Sequence, residues 1–146
     1  QIVFKMLEWK NQVPVMIGMF QKEVAQRIAS AHGSKVYGIL SVLVQAFYTV
    51  EYLFDVAPGC FNPPPKVTSA VFRLEPYAVK PIVAKNEKAL ARLVSHVFTQ
   101  RRKTLRNSLK GMLVEDGFEQ AGVDPMARPE TLTLAQFVAL ADQMVA

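Results

Sequence analysis

The sequence predicts an α/β fold in which a sheet covered by helices is followed by a small all-helical domain. A continuous apolar run at residues 13–20 is typical of a strand buried on both faces. Residues 47–56 and 67–74 are rich in β-branched and aromatic side chains and predict two more strands. Beyond Pro76 and Pro81, apolar residues recur at helical spacing instead. We therefore predict two domains, residues 1–78 and 79–146.

The other elements of the first domain follow from the same patterns. Apolar residues at helical spacing predict a helix from residue 2 to about Lys10. Residues 23–31 predict a second helix that ends near Gly33. Residues 40–48 fit either a helix or a strand. We expect the strands at 47–56 and 67–74 to pair antiparallel, because a turn-rich connection joins them.

Three helices are predicted in the second domain. The first begins near residue 86, and the second covers the basic stretch 100–109, where Arg102 and Arg106 would share one face. The third covers residues 131–145. The apolar positions that carry the first and third helices are Leu90, Leu93, Val94, Val97, Phe98, Leu134, Phe137, Val138, Leu140 and Ala141.

The segment FNPPPKVTS, residues 61–69, separates the strand-rich and helix-rich halves. Three consecutive prolines give no backbone N–H to a ladder and fix φ, so a stiff, extended connector is expected. Phe61 stands at its start, after a predicted turn. Its ring either packs into the local core or forms a platform on which a nucleic-acid base stacks.

Positive charge is concentrated in one window of the chain. Residues 79–110 contain nine Lys or Arg against one Asp or Glu, whereas residues 111–146 contain one against six. Four cations, Arg101, Arg102, Lys103 and Arg106, fall within six residues. Such a cluster is either a solvated face or a contact for a polyanion, and the absence of interleaved acids favours nucleic acid. Gln21 and Lys22, after the first strand, lie either near a ligand site or at a solvated helix start.

The composition argues against several classes of site. The single cysteine, Cys60, excludes an internal disulfide and a cysteine zinc cluster, and it fits a reducing cytoplasm. His32 and His96 are too far apart in sequence to suggest metal ligands, so no metal site is predicted. No apolar run is long enough to predict a membrane span.

Several co-linear motifs resemble one family. The motifs are MFQKEVAQRI, SKVYGILSVL, FNPPPKVTSAVFRL, FTQRRKTLRNSL and PETLTLAQF, and in this order they resemble the small-subunit ribosomal RNA adenine dimethyltransferases, the KsgA family. The resemblance implies transfer of methyl groups from S-adenosylmethionine to N6 of two adjacent adenosines near the 3′ end of small-subunit rRNA. It also implies a doubly wound methyltransferase sheet followed by a small helical domain.

The chain departs from the family in its cofactor elements. No two of its seven glycines lie closer than five residues apart, so it has no glycine-rich loop, and it has no Asn-x-Pro-Tyr motif. Because those elements belong to an amino-terminal half of the family, we expect this chain to be the carboxyl-terminal part of the enzyme. It should hold no cofactor-binding residues, and alone it should neither bind S-adenosylmethionine nor methylate.

The resemblance assigns roles to a few residues. Phe61 matches the family's Phe-x-Pro-x-Pro-x-Val aromatic, which implies that it positions the target base, and Lys66 lies beside it. Arg101, Arg102, Lys103 and Arg106 match the family's basic RNA-binding element. The candidates of second rank for RNA backbone contact are Gln21, Lys22, Arg27 and Lys35.

The implied partners are small-subunit rRNA and the precursor of the small ribosomal subunit. Two other functions remain open, a non-catalytic RNA-binding assembly factor and a methyltransferase that acts on large-subunit rRNA. We also expect the chain to self-associate through an exposed edge of the strand at residues 13–20.

Overall fold

The structure is a computed structural model that describes Lys5 and residues 15–77 and 85–145. Between residues 15 and 145, the described residues form three strands, six α-helices and two short 3₁₀ turns. In chain order the elements are β1 (Met16–Gln21), α1 (Lys22–Ala29), α2 (Ile39–Phe47), β2 (Tyr48–Val56), a 3₁₀ turn (Pro58–Cys60), β3 (Ser69–Pro76), α3 (Glu87–Thr99), α4 (Leu105–Ser108), α5 (Gly117–Ala121), a second 3₁₀ turn (Pro129–Thr131) and α6 (Leu134–Ala141). Of the helix predicted up to Lys10, only Lys5 is described, and it is helical; the rest of that prediction lies outside the described residues.

The strands form one sheet in the order β1-β3-β2. β3 lies in the middle and pairs antiparallel with both neighbours, which confirms the predicted antiparallel pairing of β2 and β3. β1 and β2 consequently run parallel to each other, and α1 and α2 form the crossover between them. The alternative left open for residues 40–48 resolves as a helix, α2. Both ladders of the described sheet are antiparallel, and helices connect β1 to β2, so this part of the chain has the α/β class that the sequence predicted.

The prediction that the first strand is buried on both faces is wrong for the described part of the chain. Along β1 burial alternates, and Ile17 and Met19 are 63% and 50% exposed. The reason is that α1 covers one face only, through Ala25 and Ile28. β1 is also an edge of the described sheet, since it pairs with β3 alone.

Helix α2 joins the two hydrophobic clusters of the molecule. One of its residues, Val44, belongs to the sheet cluster, whose other members are Ala25, Ile28, Tyr48, Ala70, Phe72 and Leu74. Val42, Leu43 and Ala46, on the other side of α2, pack with the buried residues of α3 and α6. The helical domain is thus built directly on a helix of the first domain. The boundary at residues 78 and 79 stays a prediction, because it falls in a segment outside the described ranges.

The basic stretch 100–109 is not one helix, so that prediction is wrong. Residues 100–103 form a turn, Thr104 is extended, and only Leu105–Ser108 is helical. The backbone N–H groups of Leu105 and Arg106 donate to the carbonyls of Ala127 (2.9 Å) and Pro125 (2.8 Å). Tertiary hydrogen bonds therefore replace the helical ones here, and Arg102 and Arg106 do not share a helix face.

Two smaller predictions also need correction. The proline segment bends at residues 61–63 and 66–67, so the connector is not uniformly extended. The last helix spans Leu134–Ala141 and not residues 131–145, because Thr133 caps it by accepting from the backbone N–H of Gln136.

Candidate nucleic-acid interface

Phe61 lies at the bend that follows the first 3₁₀ turn. Its backbone N–H donates to the carbonyl of Pro58 at 3.2 Å, which closes that turn. The ring is half-buried, and neither of the two clusters formed by the described residues includes it. Lys66 is exposed in the same segment. Phe61 is thus a partly accessible aromatic ring on a segment that is fixed at both ends by strands and that also carries Lys66.

Lys22 stands where β1 passes into α1 and is tied to the end of β2. Its Nζ lies 2.9 Å from an Oδ2 of Asp55, and its backbone N–H donates to the carbonyl of Thr68 at 2.9 Å. The hydroxyl of Tyr52 also donates to the Asp55 carboxylate. The hydrogen bonds from the Tyr52 hydroxyl and the Lys22 ammonium hold the pKa of Asp55 below its usual range. The hydrogen bond with Asp55 in turn raises the pKa of Tyr52 to about 12.

A cavity of about 410 Å³ opens between the start of α1 and the proline segment. It brings together Gln21, Lys22 and Lys66, which the sequence proposed separately. Gln26, one turn further along α1, also lines it and was missed by the sequence analysis. Its position one helical turn after Lys22 is the signal that could have found it.

The other end of α1 lines a second cavity of about 390 Å³. Its basic residues are Arg27, Lys35 and Arg101, so residues distant in sequence meet here. Arg27 also pairs with Glu23, four residues earlier, at 2.8 Å. The hydroxyl of Ser41 donates to the carbonyl of Arg27, which fixes this end of α1 against α2.

Arg101 makes the most extensive contacts of the four clustered cations. Its Nη2 donates to the backbone carbonyls of Lys35 (2.9 Å) and Tyr37 (2.7 Å). Its guanidinium carbon lies 5.6 Å from the centre of the Phe98 ring. These contacts span 64 and 66 residues of sequence, and no local pattern could have predicted them.

The three remaining cations of the cluster, Arg102, Lys103 and Arg106, are exposed. Arg106 lines a third cavity, of about 460 Å³, with Lys110, a cation that the sequence analysis did not select. Arg102 and Lys103 lie in the turn directly after Arg101.

The cations at the two ends of α1, together with the two that follow Arg101 in the turn, are called the basic band. Helix α1 has eight residues and is therefore about 12 Å long at 1.5 Å per residue. It connects the cavity at the proline segment to the cavity at the basic turn. The members of the basic band are Lys66, Lys22, Arg27, Lys35, Arg101, Arg102 and Lys103.

Other kinds of site find no support in the described ranges. Across residues 15–77 and 85–145, no group of three His, Cys, Asp or Glu side chains is arranged to hold a metal ion. Among the helices of the same ranges, none combines the length and the apolar character needed to cross a membrane.

Comparison with known proteins gives consistent similarities. The family model described as "Ribosomal RNA adenine dimethylase" matches residues 1–145. The "Ribosomal RNA small subunit methyltransferase A" of Acinetobacter baylyi is 67% identical over 144 residues, which are 99% of this chain and 53% of that protein. The protein of the same name from Bacteroides thetaiotaomicron is 51% identical and covers 99% of this chain and 54% of its own length. The chain thus spans about half the length of the curated relatives it matches.

Two solved structures show the same fold. A dimethyladenosine transferase from Plasmodium falciparum superposes with a TM-score of 0.80 at 24% identity, over 95% of this chain and 60% of that one. The 23S rRNA methyltransferase ErmE superposes with a TM-score of 0.66 at 24% identity, over 97% and 58% of the two chains. These likenesses confirm the predicted fold class, part of a methyltransferase sheet followed by a small helical domain.

Proposed function

Because this chain belongs to the ribosomal RNA adenine dimethylase family, we propose that it forms the RNA-holding part of an enzyme that dimethylates adenine N6. The substrate would be two adjacent adenosines near the 3′ end of small-subunit rRNA, and the larger partner the precursor of the small ribosomal subunit. The observation that carries the proposal is the basic band, which runs from the proline segment along α1 to the basic turn.

The basic band suits a phosphate backbone. Lys35, Lys66, Arg102 and Lys103 are exposed, so their charges are available to an anion. Lys22 and Arg27 are partly neutralised by Asp55 and Glu23 and would contribute less. Each phosphate contact releases condensed counterions, which supplies affinity independent of sequence.

Phe61 suits the positioning of the target base. A base must leave its stack to reach the methyl donor, which costs a few kcal/mol. Stacking on an aromatic ring contributes about 1–3 kcal/mol per base and offsets part of that cost. The half-buried ring of Phe61 offers one face for such stacking, and Lys66 would attract the neighbouring phosphate.

S-adenosylmethionine is the methyl donor that the family implies, but the residues of this chain do not form a site for it. The chain has no glycine-rich loop, and two or three cations are among the residues that line each of the three cavities at the basic band and at Arg106. We assign cofactor binding and the methyl-transfer step to sequence that the longer relatives contain. This chain by itself would be inactive.

The proposal places the protein in the cytoplasm, where ribosomal subunits are the available substrate. The exposed thiol of Cys60 agrees with a reducing compartment. The chain would also associate with itself when nothing else covers β1, because among the described residues that strand pairs on one side only and leaves Ile17 and Met19 exposed.

A methyl-transfer assay tests the proposal. The full-length protein is incubated with labelled S-adenosylmethionine and either unmethylated small subunits or unmethylated large subunits, and the modified nucleoside is identified by mass spectrometry. We expect N6,N6-dimethyladenosine in small-subunit rRNA alone. Label in large-subunit rRNA would favour the alternative methyltransferase, and binding to small subunits without label would favour a non-catalytic assembly factor.

A further inference from the structure

The four clustered cations do not have equivalent surroundings. Arg101 donates hydrogen bonds to the carbonyls of Lys35 and Tyr37, and its guanidinium lies near the ring of Phe98. Arg102 and Lys103, its neighbours in the same turn, are exposed. We propose that Arg101 is a positioning residue that fastens the loop at residues 34–38 to the helical domain, and that it is not a phosphate contact. This inference rests on the proposed function.

The loop at residues 34–38 belongs to the first domain and packs against the helical domain. Tyr37 is buried, and its ring lies 6.0 Å from Phe98 and 6.4 Å from Phe137, measured between ring centres. At the loop's start, the backbone N–H of Gly33 donates to the carbonyl of Glu130 at 2.6 Å. The loop is therefore anchored to the helical domain at both ends.

The consequence for RNA binding is geometric. Lys35 belongs to the fastened loop, whereas Arg102 and Lys103 belong to the turn that does the fastening. Arg101 holds the carbonyl of Lys35 itself, so it sets how far the Lys35 side chain stands from the cations of the turn. A phosphate backbone that contacts both segments requires that spacing to be fixed before binding.

An arginine is needed at this position for a chemical reason. One nitrogen of the planar Arg101 guanidinium donates to two carbonyls, while the guanidinium carbon lies 5.6 Å from the centre of the Phe98 ring. Lysine would keep the positive charge but lacks the plane. A phosphate contact, by contrast, is largely preserved when lysine replaces arginine as a point charge.

The experiment compares Arg101 with Arg102 in the full-length protein. Variants Arg101→Ala, Arg101→Lys, Arg102→Ala and Arg102→Lys are titrated with a labelled RNA hairpin from the 3′ end of small-subunit rRNA at several salt concentrations. Arg102→Ala should reduce the salt slope of binding by about one, and Arg102→Lys should restore it. Arg101→Ala should weaken binding by a common factor at every salt concentration without changing the slope, and Arg101→Lys should not restore it.

Amide hydrogen exchange supplies the second measurement. Exchange at residues 34–38, including the Tyr37 amide, should accelerate in both Arg101 variants and in neither Arg102 variant. An Arg101→Ala protein that loses salt slope, an Arg101→Lys protein that binds as the wild type does, or unchanged exchange in the loop would each overturn the inference. If exchange accelerates but no variant at either position alters RNA binding, the loop is fastened by Arg101 and the proposed RNA surface is wrong.

Discussion

Lys22 and Asp55, 33 residues apart, form an ion pair of 2.9 Å that joins the start of α1 to the end of β2. The proline segment with Phe61 begins just after that end of β2, and its other end is held by the hydrogen bond from Lys22 to Thr68. Lys22 therefore does more to fix the segment that carries Phe61 than to offer a free charge. Within the basic band, Lys22 is therefore a cation whose charge is partly neutralised by Asp55.

The contacts of Asp55 with Tyr52 and Lys22 should make stability depend on acid pH. Because the pKa of folded Asp55 is lowered from its ordinary 3.8, its contribution is present above that pH and is lost as pH falls through the folded value. Asp55→Asn should remove this part of the acid destabilisation in melting curves between about pH 2 and pH 7. Glu51→Gln, which neutralises another exposed carboxylate on β2, is the control. An equal pH dependence in wild type and Asp55→Asn would contradict the prediction.

Phe61 should matter to catalysis and not to folding. In the full-length enzyme, Phe61→Ala should lower methyl transfer to small subunits roughly fivefold to a hundredfold, because the stacking energy of about 1–3 kcal/mol is lost. Phe61→Tyr keeps the aromatic face and should retain most activity. Melting temperatures of both variants should match the wild type. A large loss of stability in Phe61→Ala would instead favour the role in local packing.

Sequence periodicity predicted the elements whose local and tertiary preferences agree. Helix α3 and strand β3 were found close to their expected positions, because their apolar spacing matches the face that each one buries. Strand β2 was also found, from its β-branched and aromatic residues, although Tyr52, Leu53 and Phe54 are exposed. The stretch at Arg101 was predicted as a helix, since its composition favours one. The backbone N–H groups of Leu105 and Arg106 instead bind carbonyls of residues 125 and 127. Local sequence patterns cannot predict acceptors some twenty residues away.

The candidate site could be predicted from the sequence only in part. Its cations could be selected from charge density and from the resemblance to the family. The different roles of these cations could not be predicted, because they depend on contacts between distant parts of the chain. Arg101 binds the carbonyl of Lys35, and Lys22 pairs with Asp55. Alternating exposure along β1 was likewise missed, since a run without polar residues carries no signal for which face is covered.

Replacing Gly33 by a residue with a side chain should destabilise the protein. Its φ of +88° lies in the left-handed region, so Gly33→Ala should lower the free energy of unfolding by about 1–2 kcal/mol. Gly59→Ala is the matched control, because Gly59 has neither a positive φ nor any atom near the added methyl group. Its effect should stay within about 0.5 kcal/mol. Equal effects of the two variants in chemical denaturation would contradict this account of the loop.

The edge of β1 should drive association of the 146-residue chain expressed alone. Light scattering should give a mass at or above that of a dimer, because the strand edge and its apolar side chains lack a cover in the described structure. Ile17→Lys places a charge on the 63% exposed position and should shift the mass toward the monomer. A monomer for the unmodified chain at high concentration would count against the prediction.

The salt dependence of RNA binding tests the central claim most directly. In the full-length protein, Arg102→Ala combined with Lys103→Ala should lower the slope of log K against log salt by about two relative to the wild type, because two phosphate contacts are removed. The control, Lys88→Ala with Arg92→Ala, removes the same charge from the exposed side of α3 and should leave the slope unchanged. A wild-type slope in the first variant would contradict the assignment of the basic band as the surface that binds RNA.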